Sequence, residues 1–88
     1  MEIELRLYGG FAQAAGTEVV RVRFDGETLG ALIADIRRRW PKMGELLDSS
    51  WMGSAVVVHN GAALEPADPD TKLKDGDSLS IMPFVAGG

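Results

Sequence analysis

The sequence contains no cysteine and only one histidine, His59. Without cysteine the chain can form no disulfide, no thiolate metal site and no cysteine nucleophile. A single histidine also excludes a metal site built from several imidazoles, and we expect His59 itself to be a strand-end residue beside a turn. Any chemistry at this chain must therefore depend on other groups.

Long hydrophobic runs and an excess of positive charge are also missing. Glu2, Glu4 and Arg6 interrupt the first apolar segment, so we expect no signal peptide, and no run reaches membrane-spanning length. The formal net charge is -4, which disfavours non-specific binding to nucleic acid or to an anionic membrane. We therefore expect a cytoplasmic protein with no nucleic-acid partner and no membrane partner.

The chain is long enough for one small domain. Its 88 residues are 45% hydrophobic and 25% charged, which is typical of a soluble globular protein with one core and little room for a deep catalytic pocket. We predict that residues 1–82 form the domain and that residues 83–88 form a flexible tail.

Two early segments, 2–8 and 18–24, alternate between apolar and polar residues. This alternation is typical of strands with one buried face. A short helical turn over residues 11–15 is predicted between them. The two strands should form an antiparallel pair with a long connection.

An amphipathic helix is predicted after Thr28, whose hydroxyl can cap the first turn. Apolar residues recur at the spacing of one helical stripe, and Pro41 ends or follows the helix. The range Arg37–Arg39 falls in the last turn, where positive charge opposes the helix dipole. A short second helix is predicted within residues 42–54, with Met43, Leu46, Leu47 and Trp51 against the core.

The second half of the chain contains further strands and a turn-rich loop. Residues 55–60 form a continuous apolar run and are predicted to be the central strand. Asn60-Gly61 is a tight-turn dipeptide that can return the chain over residues 62–64. Leu73 is the expected apolar anchor of the following loop, and residues 78–82 alternate as a last strand. One helix across one face of this mixed sheet predicts an α+β fold of two layers.

The last six residues, 83–88, end in a diglycine. Neither glycine has a side chain to pack, so we expect a tether that presents the terminal carboxylate of Gly88. Strand alternation places Tyr8 and Met82 on the side of the sheet opposite the core. The predicted contact surface for a partner protein consists of Tyr8, Met82, Phe84 and Val85.

Several short motifs point to one family. They are Leu7-Tyr-Gly9, Ala15-Gly16, Gly26-Glu-Thr-Leu29, Val58-His-Asn60, Leu73-Lys-Asp-Gly-Asp77 and the ending Pro-x-Val-Ala-Gly-Gly. With these motifs over nearly its whole length, the chain resembles the ubiquitin-like sulfur-carrier family, most closely its molybdopterin synthase small-subunit branch. The resemblance implies a ubiquitin-like β-grasp fold with one main helix on one face of the sheet. Two prolines usually precede the tail in that branch, and here Phe84 takes the second place.

The resemblance also implies a chemistry centred on the tail. Gly88 would be adenylated with ATP by an E1-like enzyme and converted to a thiocarboxylate, while Gly87 gives the tail access to the enzyme. The thiocarboxylate would donate sulfur for molybdopterin together with a larger synthase subunit. The chain would then be a non-catalytic subunit that binds no metal or cofactor, with ATP and any zinc held by the activating enzyme.

Three alternatives stay open from the sequence. The carrier could serve thiamine, cysteine or transfer-RNA thiolation. It could instead be a protein modifier joined through Gly88 to lysines of target proteins. The third alternative is a β-grasp binding module with an inert tail.

Overall fold

A computed structural model describes residues 1–47, 55–64 and 67–83. Within these ranges the chain forms a five-stranded sheet and three helices. The strands are β1 (Glu2–Leu7), β2 (Val19–Arg23), β3 (Ala55–His59), β4 (Ala62–Leu64) and β5 (Ser78–Pro83). The helices are α1 (Gly10–Ala15), α2 (Leu29–Arg39) and α3 (Pro41–Leu46). Five residues with predicted roles lie outside the described residues: the tail contacts Phe84 and Val85, the reactive pair Gly87 and Gly88, and Trp51.

The sheet is mixed, with strand order β2-β1-β5-β3-β4. The first and last strands, β1 and β5, are parallel neighbours, and the other three pairs are antiparallel. α1 lies in the connection between β1 and β2, where a helical turn is predicted. This arrangement confirms the α+β class and the β-grasp topology.

The central position in the sheet belongs to β5. The prediction that residues 55–60 form the central strand is wrong, because β3 lies between β5 and the edge strand β4. The apolar run has another cause: Val57 is buried against the core, while Val56 and Val58 lie half-buried on the opposite side. A strand that is apolar on both faces need not be the middle strand.

The core lies between α2 and one side of the sheet, and apolar residues from both form one buried cluster. The alternation predicted for β1 and β5 is confirmed, since Ile3, Leu5 and Leu7 of β1 and Leu79 and Ile81 of β5 are buried and the residues between them are not. Buried hydrophobic residues of this core are Ile3, Leu5, Leu7, Phe11, Val22, Phe24, Leu29, Leu32, Ile33, Ile36, Met43, Leu47, Val57, Leu73, Leu79 and Ile81. The other side of the sheet, called the open face below, carries Glu4, Arg6, Ser80, Met82, Val56 and Val58.

The N-terminus of α2 is capped as predicted. The Thr28 hydroxyl accepts a hydrogen bond from the Ala31 amide at 3.2 Å. The loop before β5 is fastened to the same end of the helix, because the Leu29 amide donates to the Thr71 carbonyl at 2.9 Å. Leu73 is buried in the core, so its predicted role as an anchor is confirmed.

The C-terminal end of α2 contains an ion-pair cluster. Asp35 is buried and accepts hydrogen bonds from the guanidinium groups of Arg38 and Arg39, one helical turn further on. Arg39 also donates to the carbonyl of Arg23 in β2. The cluster therefore connects the end of the helix to the edge of the sheet.

The short helix predicted within residues 42–54 corresponds to α3, which begins directly after α2. Pro41 occupies the first turn of α3, where its missing N–H removes no helical hydrogen bond. Met43 and Leu47 are buried as predicted, whereas Trp40 is only partly buried. The side chain of Leu46 lies outside the described part of the chain.

Candidate functional site

The candidate site is built where β1 and β5 end. Because these neighbouring strands are parallel, their C-terminal ends lie at the same edge of the sheet. The Tyr8 amide donates a hydrogen bond to the Ile81 carbonyl at 3.1 Å, which ties the end of β1 to the last residues of β5. We call Tyr8, Gly9, Met82 and Pro83 the tail root, since residues 84–88 continue from it.

Tyr8 is one of two large hydrophobic side chains that are exposed in the described part of the chain. Tyr8 is 46% exposed, and Val19 on the neighbouring strand β2 is 52% exposed. Leu7 and Ile81 are buried, which confirms the prediction that Tyr8 and Met82 face away from the core. Their role as partner contacts stays a prediction.

Apolar side chains continue from the tail root across the open face. The register sets Leu7 opposite Ile81, and Met82 is opposite Val56. Met82, Val56 and Val58 lie on the open face, and Tyr8 directly follows the end of β1. These four residues are called the apolar patch below. Sequence reasoning missed Val56 and Val58 because it assigned the apolar run to a strand covered on both sides.

The other end of the open face is charged. Arg21 and Arg23 of β2 each pair with Glu2 at 3.3 Å, and Arg6 pairs with Glu4 at 3.0 Å. The hydrogen bond to Glu4 raises the pKa of Arg6, so this guanidinium remains charged beside the apolar patch. The open face thus combines an apolar half at the tail root with a half in which opposite charges alternate.

A polar cluster lies at the beginning of β5. The carboxylate of Asp77 is 2.7 Å from Nε2 of His59 and accepts hydrogen bonds from the side chain of Asn60 at 3.0 Å and the Lys74 amide at 2.8 Å. The Asn60 side chain in turn accepts from the Ser78 amide at 2.8 Å. These bonds, first that of His59 and then that of Asn60, lower the pKa of Asp77 to about 2.

This cluster is separate from the tail root. Asp77 and Pro83 are at opposite ends of β5, which places them roughly 20 Å apart at the ordinary rise of a strand. The cluster fixes the turn after β3 to the start of β5, in agreement with the expected strand-end role of His59. His59 and Asp77 are 18 positions apart in sequence, so no local sequence pattern predicts that they pair.

The described part of the chain contains neither a metal-binding cluster nor a membrane-spanning helix. Within residues 1–47, 55–64 and 67–83, no group of three or more histidine, aspartate or glutamate side chains could hold a metal ion. None of the described helices is long and apolar enough to cross a membrane.

Comparison with known proteins identifies relatives over the whole chain. The sequence profile of the ThiS family matches residues 5–88. Small archaeal modifier protein 3 of Haloferax volcanii is 32% identical over 92 residues, an alignment that covers 100% of both chains. The sulfur carrier protein CysO of Mycobacterium tuberculosis is 36% identical over 76 residues, which cover 76% of this chain and 78% of CysO.

Solved structures share the same fold. The crystal structure of SAMP1 from Haloferax volcanii superposes with a TM-score of 0.82 at 26% identity and covers 100% of both chains. A chain in the complex of subunits 1 and 2 of the molybdopterin-converting factor from Helicobacter pylori superposes with a TM-score of 0.65 at 27% identity, again over 100% of both chains. The similar proteins thus include a modifier, a sulfur carrier and a component of a two-subunit complex.

Proposed function

The chain belongs to the ThiS family of ubiquitin-like sulfur carriers and modifiers, and we propose that Gly88 carries its reactive group. The observation that supports this most directly is the extent of the family match, which runs through residue 88 and so includes the diglycine. Gly87 and Gly88 have no side chains, and a chain end without side chains can enter a narrow channel in another enzyme.

The chemistry needs an activation step because a carboxylate is a poor electrophile. A carboxylate oxygen of Gly88 attacks the α-phosphorus of ATP, and pyrophosphate leaves to give an acyl adenylate. A hydrosulfide sulfur then attacks the acyl carbon, AMP leaves, and the sulfur proton passes to solvent. The product is a thiocarboxylate, whose sulfur is nucleophilic at neutral pH and can be passed to an acceptor.

The partners follow from this scheme. An E1-like adenylating enzyme would hold ATP and any zinc, while a larger synthase subunit would hold the acceptor of sulfur, so this chain needs no cofactor of its own. The apolar patch would provide a docking surface next to the tail root, and it contains the predicted contacts Tyr8 and Met82. Phe84 and Val85 would extend that contact along the tail.

We favour molybdopterin synthesis as the pathway. The motifs of the sequence resemble that branch, and a subunit of a molybdopterin-converting factor complex shares the fold. The similarity to CysO keeps cysteine synthesis as an alternative, and thiamine synthesis and transfer-RNA thiolation belong to the same class of sulfur transfer. In each case the reaction at Gly88 is the same and the sulfur acceptor differs.

A complementation assay distinguishes these pathways. The chain is expressed in strains that lack the endogenous carrier for molybdopterin, for thiamine or for cysteine. We expect rescue of molybdoenzyme activity by the full sequence and none by a chain that lacks Gly88. Rescue of another strain alone would assign the carrier to that pathway and reject molybdopterin as its product.

The second candidate function is protein modification. It is favoured by the full-length similarity to small archaeal modifier protein 3. In that case a lysine amine of a target attacks the Gly88 adenylate, AMP leaves, and an isopeptide bond forms. Mass spectrometry of cell extracts would then find lysines that carry a glycine remnant of this chain, and their absence after deletion of Gly88 is the control.

A further inference from the structure

The tail root contains a close contact between Gly9 and Pro83. Gly9 has φ 58° and ψ -133°, a backbone conformation that is essentially restricted to glycine. A Cβ atom on Gly9 would lie 2.9 Å from Cγ and 3.3 Å from Cδ of Pro83. The first distance is shorter than any ordinary carbon–carbon contact, so the missing side chain is what allows Pro83 to occupy its position.

Backbone conformation alone does not distinguish Gly9. Gly16, Gly61 and Gly76 also have positive φ, yet a Cβ on any of them would meet no atom within 4 Å. At these three positions only the backbone conformation favours glycine, whereas at Gly9 the contact with Pro83 also requires it. The atoms in its way belong to a proline ring, which cannot rotate aside as a flexible side chain can.

Pro83 is also held by the rest of the sheet. It pairs with Ala55 of β3, and the residues before it in β5 are fixed because Leu79 and Ile81 are buried in the core. Gly9 is equally constrained, since its carbonyl accepts a hydrogen bond from the Gln13 amide at 3.2 Å in α1. A methyl group at Gly9 must therefore push apart α1 and β5, and we expect the displacement at Pro83, the exposed last residue of β5.

We propose that Gly9 is a positioning residue for the reaction at Gly88, because its contact with Pro83 sets the point at which the tail leaves the sheet. The inference rests on the proposed function. Phe84 is covalently bound to Pro83, so the position of Pro83 relative to the apolar patch fixes where the tail begins. The docking surface and the tail must reach the activating enzyme together, and a misplacement of about 1 Å can lower a rate about a hundredfold.

The test compares Gly9→Ala with Gly16→Ala. Both variants add one methyl group at a positive φ, and only the first adds it against Pro83. Pyrophosphate release is measured with the E1-like enzyme and ATP while the concentration of carrier is varied, and urea unfolding is measured in parallel. We expect both variants to lose stability, Gly9→Ala more than Gly16→Ala because of the added clash. For the folded carriers we expect a kcat at least about tenfold lower for Gly9→Ala with KM little changed, and a kcat within about twofold of wild type for Gly16→Ala.

A double variant separates the contact from general damage to the fold. Pro83→Ala removes Cγ and Cδ, the two atoms that the new methyl group would meet. Adding Gly9→Ala to the Pro83→Ala background should lower kcat by much less than adding it to wild type, a non-additivity that a double-mutant cycle measures. If Gly9→Ala alone fails to fold, the double variant is compared with Pro83→Ala instead, because the ring that causes the clash is absent from both. A double variant that folds with a kcat within about twofold of Pro83→Ala supports the contact, and one that also fails to fold contradicts it.

Three outcomes would overturn the inference. Equal kcat values for the Gly9→Ala and Gly16→Ala carriers would remove the positioning role, and so would equal effects of Gly9→Ala in the two Pro83 backgrounds. A wild-type carrier that is not adenylated at all would overturn the proposed function and this inference with it. Either of the first two results would leave the proposed function intact, so a failure of this inference can be distinguished from a failure of the proposed function.

Discussion

The fold and proton binding are coupled at Asp77. Its carboxylate accepts hydrogen bonds from His59, Asn60 and the Lys74 amide, and these lower its pKa from 3.8 to about 2. Between these two values the unfolded chain binds more protons at Asp77 than the folded chain does. The stability that Asp77 contributes is therefore present above about pH 4 and is lost as the pH falls to about 2.

Substitution Asp77→Asn should remove this dependence. We expect the variant to be less stable than wild type by about 1–2 kcal/mol at pH 7, because a charged acceptor is replaced by a neutral one in a hydrogen-bonded cluster. The difference between the two proteins should shrink as the pH falls from 4 to 2. Urea unfolding at a series of pH values measures both effects.

The control for Asp77→Asn is Asp70→Asn, at an exposed position in the loop before β5. It changes the formal charge equally, so it reports the general effect of removing a carboxylate. An Asp70→Asn variant that loses as much stability, with the same pH profile, would contradict the role assigned to the Asp77 cluster.

At the level of helices and strands, the N-cap of α2 can be tested with two substitutions of Thr28. Thr28→Ala removes the hydroxyl that accepts from the Ala31 amide and should lower the free energy of unfolding by about 1 kcal/mol. Thr28→Ser retains a hydroxyl and should stay close to wild type. If both variants lose the same stability in chemical denaturation, the hydroxyl is not what caps the helix.

The elements themselves were largely predictable from the sequence. Alternation identified β1, β2 and β5, and the helical stripe after Thr28 identified α2, because these elements each have one buried face. The place of β3 was not predictable, since an apolar strand beside the centre has the same sequence pattern as a central strand. The pairing of buried Asp35 with Arg38 and Arg39 could have been found from its three- and four-residue spacing on the helix.

Across the whole molecule, the sheet brings together residues that are far apart in sequence. Tyr8 and Met82 lie at the same end of the sheet because β1 and β5 are parallel neighbours, and the sequence predicted which way each side chain faces. It could not predict that Val56 completes the apolar patch or that Gly9 contacts Pro83, because both depend on strand order and register. The chemistry assigned to Gly88 came from motifs and family membership.

The apolar patch predicts a defect in binding without a defect in folding. Tyr8→Ala and Met82→Ala should each weaken binding to the E1-like enzyme by about tenfold, because each removes an apolar contact beside the tail root. Lys42→Ala, at an exposed position of α3, is the control and should bind as wild type does. Titration calorimetry measures affinity, and circular dichroism checks the fold. Unchanged affinity in both patch variants would place the docking surface elsewhere.

The claim on which the account depends is that Gly88 becomes a thiocarboxylate. The direct measurement is the intact mass of the chain after incubation with the E1-like enzyme, ATP and sulfide, followed by fragmentation of its last peptide. We predict the mass change of one oxygen replaced by one sulfur, located at Gly88, dependent on ATP and absent from a chain that lacks Gly88. No ATP-dependent change in mass, or the same change in the chain without Gly88, would contradict the account.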